Sequence, residues 1–505
     1  MNKTVKKEVE SSCEYILPDY MGDIKKVLYS RAWGMPGGKY VSGKDAEHSG
    51  VVEYEILYAD ADNRLTAVTA SSDYSQTVSI TDADMRDSFH KCRISGFNVR
   101  TTGPRKLSLK STVELSITMI PEVDGVENLC DGVDIDNMQK NTVQIKNEVY
   151  EHIATSEREI AEQMERIAGV PKDDVEIILN SGEVRISDVR LNESGVSVKG
   201  ELIVDTIKRV QDTPPYSTKK SYPFEHRIEV GTLADDIKLI ASGVPSSITV
   251  GMSEEGEDTV LYVNAIAEIN LYGIYNREQT VITDAYSLEF ESDNRYSELE
   301  YNTLTDIINT EFHLDERASK STLGLSSVRD VLIMSAAAEC FGCEVDHRTI
   351  KINGEVVVNG VACEINEDNN ISYLPFKHTF PFSHNVNINC QIDAGDSVGC
   401  ELTAWCADAA IDAQGVYFKV TVGATVKASS KKSVKYLCEC HLGEGDAVRP
   451  SRSRITVYYP SMSETLFDIA KKHHTTTEKL CIDNSISDET LSGGSGSMPK
   501  KLIIK

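Results

Sequence analysis

No stretch of the 505 residues approaches the roughly 18 consecutive apolar residues that a membrane-crossing helix requires, so no helical span is expected. The first fifteen residues are polar and charged and lack the apolar run of an export signal, which leads us to expect a cytoplasmic protein. Basic charge is scarce: 52 Lys and Arg stand against 79 Asp and Glu, a net charge of −27. Residues 454–505 hold 7 basic and 6 acidic groups, so the rest of the chain carries −28 and repels nucleic acid and anionic membrane. Catalytic signatures are missing as well. There is no Gly-x-Ser-x-Gly elbow, Walker loop, His-Glu-x-x-His or dinucleotide fingerprint. In so acidic a chain no carboxylate pair stands out as a glycosidase couple. The expectation is a protein that is not an enzyme and carries no cofactor.

Metal-binding patterns are present but incomplete. Eight of the 12 cysteines fall between residues 340 and 440. Cys340-x-x-Cys343 with His347, and Cys438-x-Cys440-His441, offer thiolates and imidazoles, yet the second spacing is wrong for a zinc knuckle. Small buried thiols on strands are the favoured reading, and no metal site is expected. Asp60-x-Asp62-Asn63 opens like a calcium loop but has Leu65 where the sharp turn needs Gly. The acidic run from Glu122 to Asp136 reads as a solvated linker. His473 and His474 are adjacent, so on a helix they cannot face one ion; they read as solvated helix-end residues.

What the chain does contain is an internal repeat of domain length. Three segments share an aromatic anchor followed by apolar residues four and six positions later: Tyr74, Val78, Ile80; Phe224, Ile228, Val230; Phe382, Val386, Ile388. Upstream of each lies an i, i+3, i+4 apolar turn (Ile24, Val27, Leu28; Val175, Ile178, Leu179; Val328, Val331, Leu332), then an alternating strand. Downstream comes a longer strand signal beginning near Leu107, Leu261 and Tyr417. The predicted fold class is mainly β: three tandem antiparallel β-sandwich-like repeats at 1–138, 139–300 and 301–440. Between the first two, Ile160, Met164 and Ile167 followed by Gly169 and Pro171 predict a helix. Residues 441–454, mixing Gly, Pro, Ser and Arg, read as a flexible linker.

The last segment, 455–505, reads as strand, helix, helix, strand. Ser461-x-x-Glu464 and Thr475-x-x-Glu478 look like capping boxes. Leu466, Ile469 and Ala470 form one apolar helix face, Leu480 sits on the second helix, and Leu502 to Ile504 close the segment as a strand. Thr465-Leu466, Ile469-Ala470, Asn484 and Leu502-Ile503 resemble a LysM module, with Glu464 in place of the usual Asp and Ser463 in place of the turn Gly. The resemblance implies a small βααβ fold with a ligand or partner groove at Ser463, Glu464, Thr465, Asn484, Ser485 and Ile486. Either a glycan containing N-acetylglucosamine or a protein would use it.

The three repeats, with Ile56-Leu57-Tyr58 in the first and Pro223-Phe224 and Pro381-Phe382 in the others, resemble the SPOCS domain of sporulation proteins. Tandem SPOCS repeats followed by LysM resemble the SipL group of clostridial morphogenetic proteins. The resemblance implies a scaffold on the mother-cell side of the forespore surface, where a LysM-like docking module links it to a spore-coat or forespore-surface morphogenetic protein. Tyr74, Phe224 and Phe382 are then structural anchors. The alternative is an envelope protein that binds peptidoglycan.

Overall fold

The computed structural model describes residues 3–42, 45–79, 85–121, 138–193, 195–365, 370–392, 396–442, 455–461, 464–486 and 500–505. It is mainly β, built of small antiparallel sheets, with two short helices near the C-terminus. Six strands come first: β1 (Lys3–Ile16), β2 (Ile24–Ser42), β3 (Asp45–Asp60), β4 (Leu65–Ser79), β5 (Met85–Gly103) and β6 (Lys106–Pro121). They form two sheets, β2-β3-β4 and β1-β6-β5. The next six are β7 (Gln139–Ile167), β8 (Val175–Asn192), β9 (Gly195–Val210), β10 (Tyr216–Ile228), β11 (Lys238–Glu255) and β12 (Asp258–Tyr286). Then follow β13 (Ser292–Ser319), β14 (Val328–Asp346), β15 (Thr349–Ile365), β16 (Ile371–Asn387), β17 (Asp396–Ile411) and β18 (Gly415–Leu442). Both sets repeat the first topology strand for strand, as β8-β9-β10 with β7-β12-β11 and β14-β15-β16 with β13-β18-β17. In each set the two sheets share one apolar core, such as Val52, Tyr54 and Ile56 of β3 against Leu107, Leu109 and Leu115 of β6.

Two local expectations need correction. The predicted helix around Ile160, Met164 and Ile167 is the far half of β7. Ile160 and Met164 are four apart, a spacing that fits the period of a strand as well as that of a helix. Burial of both in the core of the second set, with β12 hydrogen-bonded beside β7, resolves the tie toward strand. The three i, i+3, i+4 turns are also strand. Bulges interrupt the register between Ile24 and Lys26 and between Val27 and Tyr29 in β2, between Ile177 and Leu179 in β8, and twice between Val328 and Ile333 in β14. Each bulge inserts one residue and flips the alternation, so apolar residues three and four apart come to be buried on a strand. The 300/301 boundary falls inside β13 and the 440/441 boundary inside β18, so His441 and Leu442 of the expected linker 441–454 are strand; the acidic run 122–136 and the rest of that linker, 443–454, lie outside the described residues.

By contacts the chain divides into two compact units. The first, Met1–Glu122, Glu148–Asn276 and Leu304–Ser430, holds most of all three strand sets. Its centre is an apolar cluster to which every set contributes: Leu28, Tyr29 and Leu57; Leu179 and Ile207; Leu332, Ile333 and Val361. Residues at or beside the bulges supply five of these eight. Leu57, Ile207 and Val361 occupy one register position, and each is fully buried on the face opposite its own sheet's core. Ile56, Leu57 and Tyr58 are therefore all at 0% exposure, because β3 is covered on both faces. Polar bonds also join the sets. Arg31 donates to Ser181 Oγ (3.2 Å) and the Gly182 carbonyl (3.1 Å) and pairs with Glu183 at 3.1 Å. Ser181 donates to the buried Glu55 at 2.7 Å. Arg185 clamps Glu311 and lies 5.1 Å from the Trp405 ring. Lys91 reaches Glu401 at 3.2 Å. Each set thus touches both of the others.

The aromatic anchors have a shared geometry. Tyr74, Phe224 and Phe382 pair directly across the sheet with Gly50, Gly200 and Gly354. Behind each glycine the neighbouring strand carries a further bulge, after Pro36, Ile186 and Cys340. A Cβ on Gly200 would lie 2.8 Å from Phe224 Cζ and press on the Arg185 carbonyl; on Gly354 it would lie 2.9 Å from the Phe382 ring and press on the Glu339 carbonyl. Only glycine lets the ring close over the bulged strand. Gly200→Ala and Gly354→Ala should each lower stability by about 1–3 kcal/mol in urea unfolding, the cost of overpacking. Gly251→Ala, where a Cβ would meet nothing within 4 Å, should leave it nearly unchanged.

Near the junction, burial pushes the Asp205 carboxyl up to about 6, with Lys219 at 3.6 Å opposing the shift. Its Oδ1 is buried without a hydrogen-bond partner. An acid with a higher pKa folded than unfolded stabilises the fold fully below its unfolded value, and loses that contribution as pH rises through the folded one. Asp205→Asn should therefore raise stability at pH 8, by up to about 3 kcal/mol, and change it little at pH 4; urea unfolding at both pH values checks this.

Candidate functional site

The second compact unit comprises Val123–Asn147, Arg277–Thr303 and Lys431–Lys505. It contains one end of each of the four longest strands and a small module: β19 (Thr456–Tyr458), α1 (Leu466–Lys472), α2 (Thr477–Asn484) and β20 (Leu502–Ile504). β19 and β20 pair antiparallel, Thr456 opposite Ile504 and Tyr458 opposite Leu502. Leu466, Ile469, Ala470, Leu480, Cys481, Leu502 and Ile504 form its core.

Both helix starts differ from the expected ones. The first capping box is Thr465 with Asp468, in which the Thr hydroxyl accepts the Asp468 N–H at 3.2 Å and the Asp carboxylate accepts the Thr465 N–H at 2.8 Å. Ser461 and Glu464 lie before the helix, where the Glu464 carboxylate accepts the Ser461 N–H at 2.8 Å and the Tyr458 hydroxyl at 2.7 Å. These bonds hold the Glu464 carboxyl below its ordinary range. Thr476, not Thr475, caps α2 through the Lys479 N–H. Sequence reasoning found the right chemistry in the wrong register, because consecutive Ser and Thr residues offer several equivalent caps.

The predicted groove residues are largely occupied in holding the module together. Glu464 and Thr465 bond on the side of β19 and α1. Asn484 donates to the Leu480 and Ile503 carbonyls and accepts the Ile503 N–H at 2.6 Å, tying the end of α2 to β20. Ser485 is left-handed (φ 53°) at the helix end, and Ile486 packs against the core. Ser463 lies outside the described residues. Beside polar residues such as Asp468, Lys472, Glu478 and Lys479, the module exposes four large apolar side chains: Ile455, Val457, Tyr459 and, at 79% exposure, Ile482.

A group of residues with no sequence motif seats the module. Tyr286, at the end of β12, is part of the module's core; its hydroxyl donates to the Thr475 carbonyl at 2.6 Å and its ring meets Phe467 edge-on at 5.1 Å. Asp284 accepts two 2.7 Å bonds from Lys471 and is further held by Asn294 and Tyr296. Partial burial works against the Lys471 charge, but the Asp284 carboxylate outweighs it and raises the pKa. His474 reaches the Ser287 carbonyl at 3.3 Å, and His473 stacks edge-on against Tyr458, so neither is merely solvated. The available signal was length: β12 runs on past Ile274, where its pairing with β11 ends.

The cysteines divide differently from their spacing. Cys340 and Cys343 are neighbours, but His347 is exposed at the following turn. Cys440 is buried against Met138, and Cys438 donates to the Arg295 carbonyl. In the first unit a cavity of about 760 Å³ is lined by Arg64, Arg209 and Arg329, one from each strand set, with Asp173, Glu176 and Asp212 among them. Its described lining has neither imidazole nor thiol. No described helix is long and apolar enough to cross a membrane. The chain matches no protein-family model and no curated protein.

Replacing Tyr286 by Phe leaves the Thr475 carbonyl without its donor and should cost about 1–2 kcal/mol. Faster amide exchange confined to α1 and α2 is the expected readout, with a larger effect for Tyr286→Ala.

Proposed function

We propose that the chain is a non-enzymatic scaffold of the spore-coat morphogenetic kind, made of three tandem β-sandwich-like SPOCS repeats and a LysM-like docking module. It would act on the mother-cell side of the forespore surface. The observation that carries this reading is the threefold recurrence of one six-strand topology, with the same glycine, aromatic and bulge at the same place, joined to a strand-helix-helix-strand module. Joining the repeats through a shared core suits a rigid spacer between partners. The module's role as a protein dock is supported by its exposed Ile455, Val457, Tyr459 and Ile482. It is supported also by the engagement of Glu464, Thr465 and Asn484 in internal bonds, which leaves fewer polar groups free for a sugar.

A fluorescent fusion followed through sporulation is expected to form a ring around the forespore. Ile482→Glu combined with Tyr459→Glu, both at exposed positions, should disperse the ring without unfolding the protein. A fusion that stays diffuse at every stage would sink the scaffold reading. Co-sedimentation with purified peptidoglycan, unaffected by the double substitution, would instead favour the envelope-binding alternative.

A further inference from the structure

The third strand set differs from the other two in chemistry at one defined place. The bulge opposite Gly354 inserts Phe341, a side chain at 64% exposure, between Cys340 and Gly342. On a regular strand residues three apart face opposite sides. With the extra residue, Cys340 and Cys343 turn to the same side, and their sulfurs stand 3.9 Å apart. Cys400 on β17 supplies a third thiol, and all three sulfurs lie within 4.8 Å of one another. All three are free thiols and partly exposed, so an ion from solvent can reach them.

The Cys340–Cys343 spacing of 3.9 Å matches metal chelation. Two sulfurs bound to one tetrahedral zinc at about 2.3 Å stand about 3.8 Å apart, whereas a disulfide requires about 2.05 Å. In the other two sets the corresponding residues, by pairing register, are Pro36 with Lys39 and Ile186 with Val189. The bulge is therefore a property of the fold, and only the third set furnishes it with ligands. Filling space does not require sulfur, since Ile186 and Val189 serve there in the second set.

We propose that Cys340, Cys343 and Cys400 bind one thiophilic divalent ion of the zinc type, with three thiolate ligands and the fourth position open to solvent. The ion would join β14 to β17, strands that belong to different sheets of the same set. Without a cation, burial and the neighbouring thiols push Cys343 up to about 11 and Cys400 higher still. A dication supplies the missing charge. Three protons leave as three Cys–S–metal bonds form, so affinity must rise with pH.

The test uses the full chain, reduced and stripped with chelator, titrated with Co²⁺ as a spectroscopic probe and then with Zn²⁺. One Co²⁺ per chain is expected, with a thiolate charge-transfer band and the visible bands of tetrahedral cobalt. Zn²⁺ should displace it, and affinity should rise from pH 6 to pH 8. Cys400→Ser should weaken binding by about tenfold or more, a loss that even an outer-shell partner can cause, while Cys438→Ser should bind as the parent does. Absence of the charge-transfer band in the parent protein would overturn the proposal. So would a band that survives Cys340→Ser combined with Cys400→Ser, and neither outcome depends on how well a single variant folds.

Discussion

The bulges in the first strand of each three-stranded meander are the constraint on which the first compact unit depends. A strand packed on one face only needs alternating residues; a strand that must feed two cores needs its parity changed part-way. Bulges at Ile24–Tyr29, Ile177–Leu179 and Val328–Ile333 make that change. They let Leu28, Leu179 and Leu332 reach the central cluster while neighbours continue to serve the core of their own set. The central strands respond by being apolar on both faces at the same point, hence Leu57, Ile207 and Val361 at full burial. Remove the parity change and each set would still close on itself, but Leu28, Leu179 and Leu332 would no longer reach the apolar cluster that the three share.

Charges around that cluster follow from the packing. Arg31, Glu55, Ser181 and Glu183 lie where two sets meet, and burial raises the Glu55 pKa against the opposing pull of Arg31 and Ser181. Such buried ionic contacts add little net stability over apolar substitutes, because desolvation offsets attraction. Their value is selective: an incorrectly docked set would leave a buried charge without its partner. Lys208 illustrates the same logic within one set. It occupies the register position of Tyr58, is fully buried, pairs with Glu165 and lies 4.7 Å from the Tyr216 ring. A Tyr in one copy and a Lys with its own acid in another fill one backbone position by different chemistry.

Much of this was legible in the amino-acid order, and the failures have physical causes. The anchors Tyr74, Phe224 and Phe382 stood out because a ring over a glycine is demanded by backbone geometry, which divergence cannot erase cheaply. Their glycine partners lie 24 to 28 residues upstream and escape any local window. Bulges were misread as apolar turns because a one-residue insertion in a strand and a helix period both produce i, i+3, i+4 patterns. β7 was misread because Glu, Ala and Met favour helix in isolation, while pairing with β12 overrides them. Caps slipped because Thr475, Thr476 and Thr477 are chemically equal. Asp284 and Tyr286 could not be found at all: their partners Lys471 and Thr475 are some 190 residues away, and nothing about an Asp or Tyr at a strand end is unusual alone.

The same reasoning explains why the thiol cluster was only half visible. Sequence spacing singled out Cys340 and Cys343, because a Cys-x-x-Cys pair is recognisable anywhere, and then looked for partners nearby in His347. On a β-strand, however, nearby in sequence means farther along the strand. Cys400 is close because β14 and β17 lie side by side in the third set, a relation set by the six-strand topology rather than by spacing. In a mainly β chain the third member of any polar cluster will usually come from a strand that is remote in sequence. Its position can be inferred only after the topology is known. Here the topology occurs three times, so the corresponding positions in the first two sets serve as internal controls: the same backbone with Pro36, Lys39, Ile186 and Val189 shows that the fold tolerates other chemistry there. The gathering of three thiols therefore reflects side-chain choice at a permissive site, and that choice is what a ligand would explain.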